Sequence, residues 1–460
     1  MQTGSDDPLH AFRWQPDNEA ADLVSDLISL GVQRCPATCR MADRLRETTG
    51  TRLVDWIESI DSPSATGVLQ QLIAAGFVAS GMSAERCSYH RQAGRFPAIH
   101  LNASDRTVRL TIAVESLSDL LAAQALAVPI AGSPGSTLRQ ARLAQGDAAE
   151  LWAVERHGDA RSQVSPASPA AVLAGQSHFE SLRLRRRDQG DEEVAFRELD
   201  HLFSHAIADC GRDLACDIFF AAERDFWQRR NRAGRVQKAH QDAVGLGWAN
   251  HDHHTYRSSR RCFARMIALF ERLGLRPRER FYPGATAGWG AQVLEQPVTG
   301  VVVFADVDMS AEELRQDFAH QPFPDDGGVR SLGTVGLWCA LHGESLFSAG
   351  MHHLACRVDI TAATALLAHE QVRSMPPFSE LPHLKQSFTE GELWRVSEER
   401  LEPLVQNRQI TSDQAQRFRS QGALGSHLEL VERNAGFKGF NQHGVDEIIA
   451  GTDPRRGTGH

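Results

Sequence analysis

Twice in this chain a histidine stands four residues before an arginine. The phrases are His253-His254-Thr255-Tyr256-Arg257 and, one hundred residues on, His353-Leu354-Ala355-Cys356-Arg357. In a strand, positions i and i+4 share a face and lie roughly 13 Å apart at about 3.3 Å per residue. Read as strands, the two phrases each put an imidazole and a guanidinium on one surface. Paired side by side, they would let two histidines share a metal, with arginines a small molecule's length away. His253 and His353 are therefore the candidate metal ligands. Arg257 and Arg357 are the candidate anchors for substrate carboxylates, because a guanidinium suits bidentate pairing.

A metal that must take O2 and an organic substrate needs few protein ligands and open positions, and two imidazoles with one carboxylate meet that need for non-haem iron(II). The carboxylate is expected from Leu428-Glu429-Leu430-Val431-Glu432-Arg433. Strand alternation turns Glu429 and Glu432 to opposite faces, and Glu429 is the choice. It sits between leucines in a strand expected to line a barrel, where a carboxylate is costly without a cation. Glu295, in Gly290-Ala291-Gln292-Val293-Leu294-Glu295, is a candidate fourth ligand. It would shift the reading to a Zn, Ni or Mn centre of glyoxalase type. His251, His254 and His352 complete a run of histidines too dense for routine core residues, and they are expected to orient ligands or pack.

The alternative to a metal centre is a hydrogen-bonded network of structural histidines in a metal-free binding module. Arg257 and Arg357 would then form salt bridges with groups such as Asp306, Asp308 or Asp359. His342-Gly343-Glu344-Ser345 reads as a turn, and there is no GxGxxG after a strand, no P-loop and no GxSxG elbow.

Local patterns supply the elements that must hold these residues. Residues 251–257 read as a strand, 261–273 as a helix, and 278–282, 290–295 and 300–307 as three short strands between Gly and Pro signals. That makes one βαβββ unit. A second starts at Met351–Ile360 and continues with a helix to Val372. A long polar segment, 376–422, interrupts it, and strands over 426–433 and 436–441 are expected to close it. Upstream, 18–80 has helical spacing throughout (Leu23, Val24, Leu27, Ile28, then Leu53, Val54, Trp56, Ile57, Ile60). Val108–Val114 alternates like a strand, Leu117–Ala127 suits a helix, and Ala148–Glu155 a later strand. The domain reading is a helical region over 1–90 and a possible degenerate βαβββ module over 91–161. A Ser/Pro/Ala linker and helical hairpin follow over 162–245, then a paired-module catalytic domain over 246–450. The fold class is α+β, with paired βαβββ modules forming a half-open barrel.

Composition bounds the partners. The 460 residues carry a net charge of −9, which disfavours nucleic acid. The basic run from Arg229 to Lys238 reads as a solvated helix face. The longest apolar stretch, near Leu120–Ile130, is too short to span a bilayer, and MQTGSDDPLHAF lacks the pattern of a secretory signal. Eight scattered cysteines without a CxxC pair suggest reduced thiols and a cytoplasmic location.

The repeated unit with a histidine on its first strand resembles the vicinal-oxygen-chelate superfamily. Within it, the His-x-x-x-Arg phrase and the later Leu-Glu-Leu-Val-Glu-Arg strand resemble the 2-oxoadipate dioxygenase/decarboxylase family, over roughly 248–445. The resemblance implies iron(II) held by His253, His353 and Glu429, with Arg257 gripping the substrate. It also implies O2-dependent oxidative decarboxylation of a small 2-oxo acid. A 2-oxo acid chelates iron through its keto and carboxylate oxygens, so a distal carboxylate would reach towards an arginine further along the strand.

Overall fold

The computed structural model describes residues 14–64, 66–82, 86–103, 106–161, 163–188, 190–324 and 331–456. The opening stretch read for a signal lies outside the described residues. Helices α1 (Asn18–Arg34) and α2 (Pro36–Thr49) open the described chain, with Asp17 capping α1 through Ala20 N–H. The helical reading is interrupted there and holds again only over Thr66–Ala74. Ile57–Pro63 is strand β1, followed by α3 (Thr66–Ala74), β2 (Val78–Met82), β3 (Arg86–His90) and β4 (Ala98–Asn102). Ile57, Ile60, Asp61 and Ser62 are all buried. A strand buried on both faces loses its alternation and so passes for helix in sequence.

β5 (Val108–Val114), α4 (Leu117–Ala123), β6 (Leu138–Gln145) and β7 (Ala149–Arg156) complete a seven-stranded sheet of order β2-β3-β4-β1-β5-β7-β6. The N-terminal region is thus itself a pair of modules, one complete and one a strand short, rather than a helical region followed by one module starting at 91. The expected linker is instead helix α5 (Pro169–Leu184), capped by Ser168. With α6 (Glu192–Cys210), α7 (Arg212–Arg229) and α8 (Arg232–Asp242) it forms a helical layer.

The C-terminal pair begins with β8 (His251–Arg257), α9 (Phe263–Arg272), β9 (Arg276–Phe281), β10 (Trp289–Glu295) and β11 (Val302–Asp308). Helix α10 (Thr334–His342) links it to β12 (His353–Arg357), α11 (Ile360–His369), β13 (Ser379–Leu381) and β14 (Leu384–Phe388). A small insertion follows, consisting of β15 (Leu393–Trp394), α12 (Glu398–Gln406), α13 (Ser412–Gln421) and β16 (Ala423–Leu424). The pair closes with β17 (His427–Arg433), and α14 (Asp446–Ala450) follows it. Two module strands therefore lie inside 376–422, and 436–441 is loop, contrary to the expected closing strand.

The second sheet has the order β13-β14-β17-β12-β8-β11-β10-β9, two modules meeting at β8 and β12 and curling into a half-open barrel. In each complete module the first strand runs parallel to the last: β8 to β11, β12 to β17, and β1 to β4. Helix α9 shows how the layers lock. Phe263, Met266, Ile267 and Phe270 fall at i, i+3, i+4 and i+7, all buried against the outer face of the sheet. Each such side chain contributes about 1.5–3 kcal/mol by burial. The inner face sets polar residues among aromatic ones. Among the described residues no helix is long and apolar enough to cross a membrane.

Candidate metal centre

Register brings three strands' side chains to one point. The antiparallel pairing of β8 and β12 sets His253 opposite Ala355 and Thr255 opposite His353, and the parallel pairing of β12 and β17 sets Ala355 beside Glu429. Ala355, with only a methyl group, sits between the two polar positions and leaves space above it. His253 Nε2 lies 3.1 Å and His353 Nε2 3.0 Å from the same oxygen, Glu429 Oε2. Around an ion with bonds of about 2.1 Å, donors at right angles stand about 3.0 Å apart, so this spacing suits one cation. Side-chain exposures of 3%, 9% and 2% keep all three out of bulk water.

Neighbouring groups orient the three. The Asp252 carboxylate lies 3.0 Å from His253 Nδ1 and is clamped by Arg433 (2.8 and 2.9 Å) and Arg95 (3.0 Å). Burial raises the Asp252 pKa, but Arg433, Arg95 and His253 outweigh it and hold the group well below the usual carboxylate range. An ionised Asp252 accepts a hydrogen bond from His253 Nδ1–H, which points the Nε2 lone pair at Glu429. A lone pair facing a carboxylate oxygen needs a cation or a proton between them. Without a metal a proton serves: burial lowers the His253 pKa, yet Glu429 and Asp252 carry it to about 9. His353, lowered mainly by burial against the pull of Glu429, stays neutral with a pKa of about 4. For Glu429, burial raises the pKa, and the two histidines more than reverse it. Gln386 Nε2 on β14 donates to Glu429 Oε1 at 2.8 Å and frees Oε2 for the histidines. Thr255 Oγ1 lies 2.7 Å from His353 Nε2, a contact that an ion at that nitrogen would replace.

A cavity of about 50 Å³ opens beside the three residues, walled by Phe304, Phe388, Phe440 and Trp289. One water needs about 10–15 Å³ on this measure, so the cavity suits a small molecule. Its far end holds Arg257 and Asp306, both side chains 3% exposed, with Arg257 Nε 3.8 Å from Asp306 Oδ2. Helix α10 closes this end with Trp338, 5.7 Å from the Arg257 guanidinium. Asp308 fixes the helix by accepting from the N–H groups of Gly333 (2.8 Å), Val335 (3.0 Å) and Gly336 (2.9 Å). A Cβ at Gly333 or Gly336 would fall 2.4–2.5 Å from that carboxylate, so glycine is required at both.

Other expected residues lie elsewhere. Arg357 does not line the cavity. β8 and β12 run antiparallel, so the two His-x-x-x-Arg phrases send their arginines to opposite ends of the site, and the cavity occupies only the Arg257 end. Arg357 instead hydrogen-bonds Asn250 O (3.4 Å), and burial with the nearby Arg95 lowers its pKa to about 9. Glu295 faces away and pairs with Lys438 (2.7 Å) and Arg278 (3.2 Å), so the four-ligand arrangement is not formed. Glu432 is on the opposite face, paired with Lys385 at 2.8 Å. His254 packs on Phe220 and approaches Val302 O (3.3 Å), and His251 Nδ1 pairs with Trp248 O at 2.9 Å. His352 faces the cavity with Nδ1 on Gly425 O at 3.0 Å.

Two cavity residues escaped sequence reading. His427 stacks on Phe388 with centroids 4.1 Å apart, and neither of its ring nitrogens has a partner among the described residues. Its signal was present: it precedes Glu429 by two on the same strand face. Gln386 carried no such signal, because its strand lay in a segment read as an interruption.

No protein-family model matches this chain, and neither does any curated protein sequence. Several solved structures are similar. One is a putative hydrolase from Shewanella frigidimarina (14% identity, 49% of this chain and 97% of that one, TM-score 0.34). Another is a variant of 4-hydroxymandelate synthase from Streptomyces coelicolor (13%, 87% and 98%, TM-score 0.29). A third is methylmalonyl-CoA epimerase from Mycobacterium tuberculosis (14%, 40% and 88%, TM-score 0.24). The paired-module fold rests on the strand order of the chain itself.

Proposed function

We propose that this chain is a non-haem iron(II) oxygenase that acts on a small 2-oxo acid by O2-dependent oxidative decarboxylation. The observation that carries the reading is the convergence of His253, His353 and Glu429 on one point beside a cavity whose far end presents a guanidinium. Two imidazoles and one carboxylate are the donor set that suits iron(II) and leaves coordination positions open. When bound, the iron supplies the O2 and electron chemistry that side chains lack.

The chain's own residues do the rest. Asp252 holds the His253 ring in one tautomer, and Gln386 turns Glu429. Arg257 Nε and Nη1 have no hydrogen-bond partner among the described residues, and a substrate group at the far end would take both N–H groups. The phenyl rings of Phe304, Phe388 and Phe440 exclude water around the reacting carbons. The resemblance in the two His-x-x-x-Arg phrases and the Leu-Glu-Leu-Val-Glu-Arg strand supports the same chemistry. We place the protein in the cytoplasm, with a 2-oxo acid and O2 as its partners and neither nucleic acid nor membrane.

The test is metal analysis of untagged protein prepared without oxygen, followed by O2 uptake with a panel of 2-oxo acids. About one iron per chain is expected, with O2 uptake stoichiometric with CO2 release. Zinc or nickel in place of iron would point to isomerase or lyase chemistry. No metal after reconstitution would leave a binding module.

A further inference from the structure

Helix α10 is a wall between two cavities. Its Trp338 faces the Arg257 end of the metal-site cavity. Gly336, Cys339, Ala340 and Gly343 stand at i, i+3, i+4 and i+7 and so share another face, which floors a cleft of about 870 Å³. The insertion helix α12 and the chain leading into α6 form further walls. Small-molecule sites span about 300–1,000 Å³, whereas the metal-site cavity measures about 50 Å³. The cleft therefore has room for a molecule much larger than a 2-oxo acid.

One end of the cleft is rich in positive charge, because three guanidiniums converge on the turn at 347–349. Arg187 Nη1 approaches Phe347 O at 3.5 Å, and Arg400 Nη2 meets Ser348 Oγ at 3.4 Å. Arg230 Nη1 donates to Ser348 O (2.9 Å) and Ala349 O (2.6 Å). Gly343 permits the meeting of Ser348 and Arg400: its φ is +94°, and a Cβ there would fall 2.0 Å from Ser348 Oγ. Glu223 lies 2.5 Å from Arg187 and 2.8 Å from Arg185, while Arg230 and Arg400 reach only carbonyls and a hydroxyl among the described residues. Four guanidiniums thus share one carboxylate. Like charges gathered out of water repel, and burial together with Arg187 lowers the Arg230 pKa to about 10. The cleft's own carboxylates serve elsewhere. Asp308 caps α10, Glu344 accepts from Ser258 and Ser259, Glu192 pairs with Arg261, and Asp188 and Asp191 are exposed.

We infer that the cleft is a second binding site, for a small molecule carrying a phosphate, and that Arg187 and Arg400 hold the phosphate. Both line the cleft, and both have N–H groups to spare. Arg187, its side chain 7% exposed, has no partner for Nε among the described residues. Arg400 makes only two long bonds, at 3.3 Å to Ala340 O and 3.4 Å to Ser348 Oγ. A phosphate brings about 1.5–2 negative charges and three acceptor oxygens, which two guanidinium forks match. A carboxylate would leave most of the surplus charge in place. Phe323, Leu332 and Leu404 line the rest of the cleft and offer apolar surface to the body of the molecule. The site stands apart from the metal centre and does not rest on the oxygenase chemistry proposed there.

Inorganic phosphate is the probe, since it carries the group that the two arginines are to hold. It is titrated by calorimetry into the metal-loaded full chain, into Glu429→Ala and into Arg400→Gln. Saturable binding is expected in the first two. Arg400→Gln should weaken it about 10–100-fold, as loss of charge-assisted hydrogen bonds does, with metal content unchanged. Acetate should not compete. Absence of phosphate binding to the unmodified chain, which needs no variant, would overturn the proposal, as would unchanged affinity in Arg400→Gln. Binding lost in Glu429→Ala would put the phosphate on the metal and overturn it equally. Acetate competing as strongly as phosphate itself would refute the phosphate assignment.

Discussion

The N-terminal and C-terminal sheets pose the same geometric problem and solve it differently. In the C-terminal sheet His253 pairs with Ala355, and Ala355 with Glu429. In the N-terminal sheet the same pairings of first strand, first strand and last strand set Asp61 opposite Arg109, and Arg109 beside Glu150. Thr107 stands two residues before Arg109, as His353 stands two before Ala355. Two carboxylates are thus brought together on the inner face of the N-terminal sheet too. There, however, the central position holds a guanidinium instead of a methyl. Arg109 Nε meets Glu150 at 3.2 Å, Arg142 adds a second bond at 2.8 Å, and Trp152 a third at 2.7 Å. Asp61 is paired with Arg86 and Asn102. Every charge has its partner in the chain, and no ion is called for. A fold that juxtaposes strands supplies a place where a metal could sit, and a small residue at its middle with two imidazoles facing one carboxylate oxygen fits only the C-terminal place for one.

The first way to break this comparison is to remove a ligand. Glu429→Ala or His353→Ala should take bound iron from about one per chain to none, with the fold retained by circular dichroism. Glu150→Ala should leave the metal untouched. The next is to transplant the N-terminal solution. Ala355→Arg puts a guanidinium beside Glu429 and should expel the metal with all three ligands still present. Iron retained in that variant would mean that the central methyl does not matter. It should also cost about 1–3 kcal/mol through overpacking against Leu384 and Val431, read as a lowered Tm.

The two halves also cooperate, because Arg95, in the loop after β3, reaches Asp252. Arg95→Ala should weaken metal affinity about 10–100-fold without removing a ligand, as loss of a ligand-orienting group does. Competition against a chelator would measure it. Glu150→Ala itself should lower stability by about 1 kcal/mol in denaturant titration, because it removes the acceptor of Trp152 and of two arginines that water still reaches.

The smallest effect concerns the joint between the N-terminal sheet and the helical layer. His157 bridges Glu155 (3.3 Å) and Asp217 of α7 (2.9 Å). Burial lowers its pKa, but the two carboxylates carry it to about 10. Its stabilisation is complete below the unfolded value of about 6.5 and is lost as pH rises through about 10. At 36% side-chain exposure it is worth about 1 kcal/mol or less. Tm measured from pH 7 to 10 should fall more steeply in the unmodified chain than in His157→Gln.

Much of the site was legible because β-strand chemistry is local. Strand alternation turned His253, Arg257, His353 and Glu429 inward, and the paired βαβββ order followed from breakers and apolar runs. The N-terminal pair was not legible. Leu53, Val54, Trp56, Ile57 and Ile60 fit helical spacing, yet a short turn over Leu53–Asp55 leads into a strand covered on both sides. The Ser/Pro/Ala stretch looked like a linker because proline breaks helices internally, whereas Pro169 occupies the first helical position, where no N–H is needed.

By itself the amino-acid sequence determined which residues are able to hold a metal and which strands carry them, since both depend on residue type and spacing within a few positions. Tertiary structure decided the rest. Antiparallel pairing of β8 with β12 kept Arg257 at the cavity and sent Arg357 away. Folding carried Glu295 outward to Lys438, brought Asp306 to Arg257, and set Arg95 from one sheet on Asp252 of the other. These are contacts between residues far apart in the chain, fixed by strand direction and register, which no local spacing encodes.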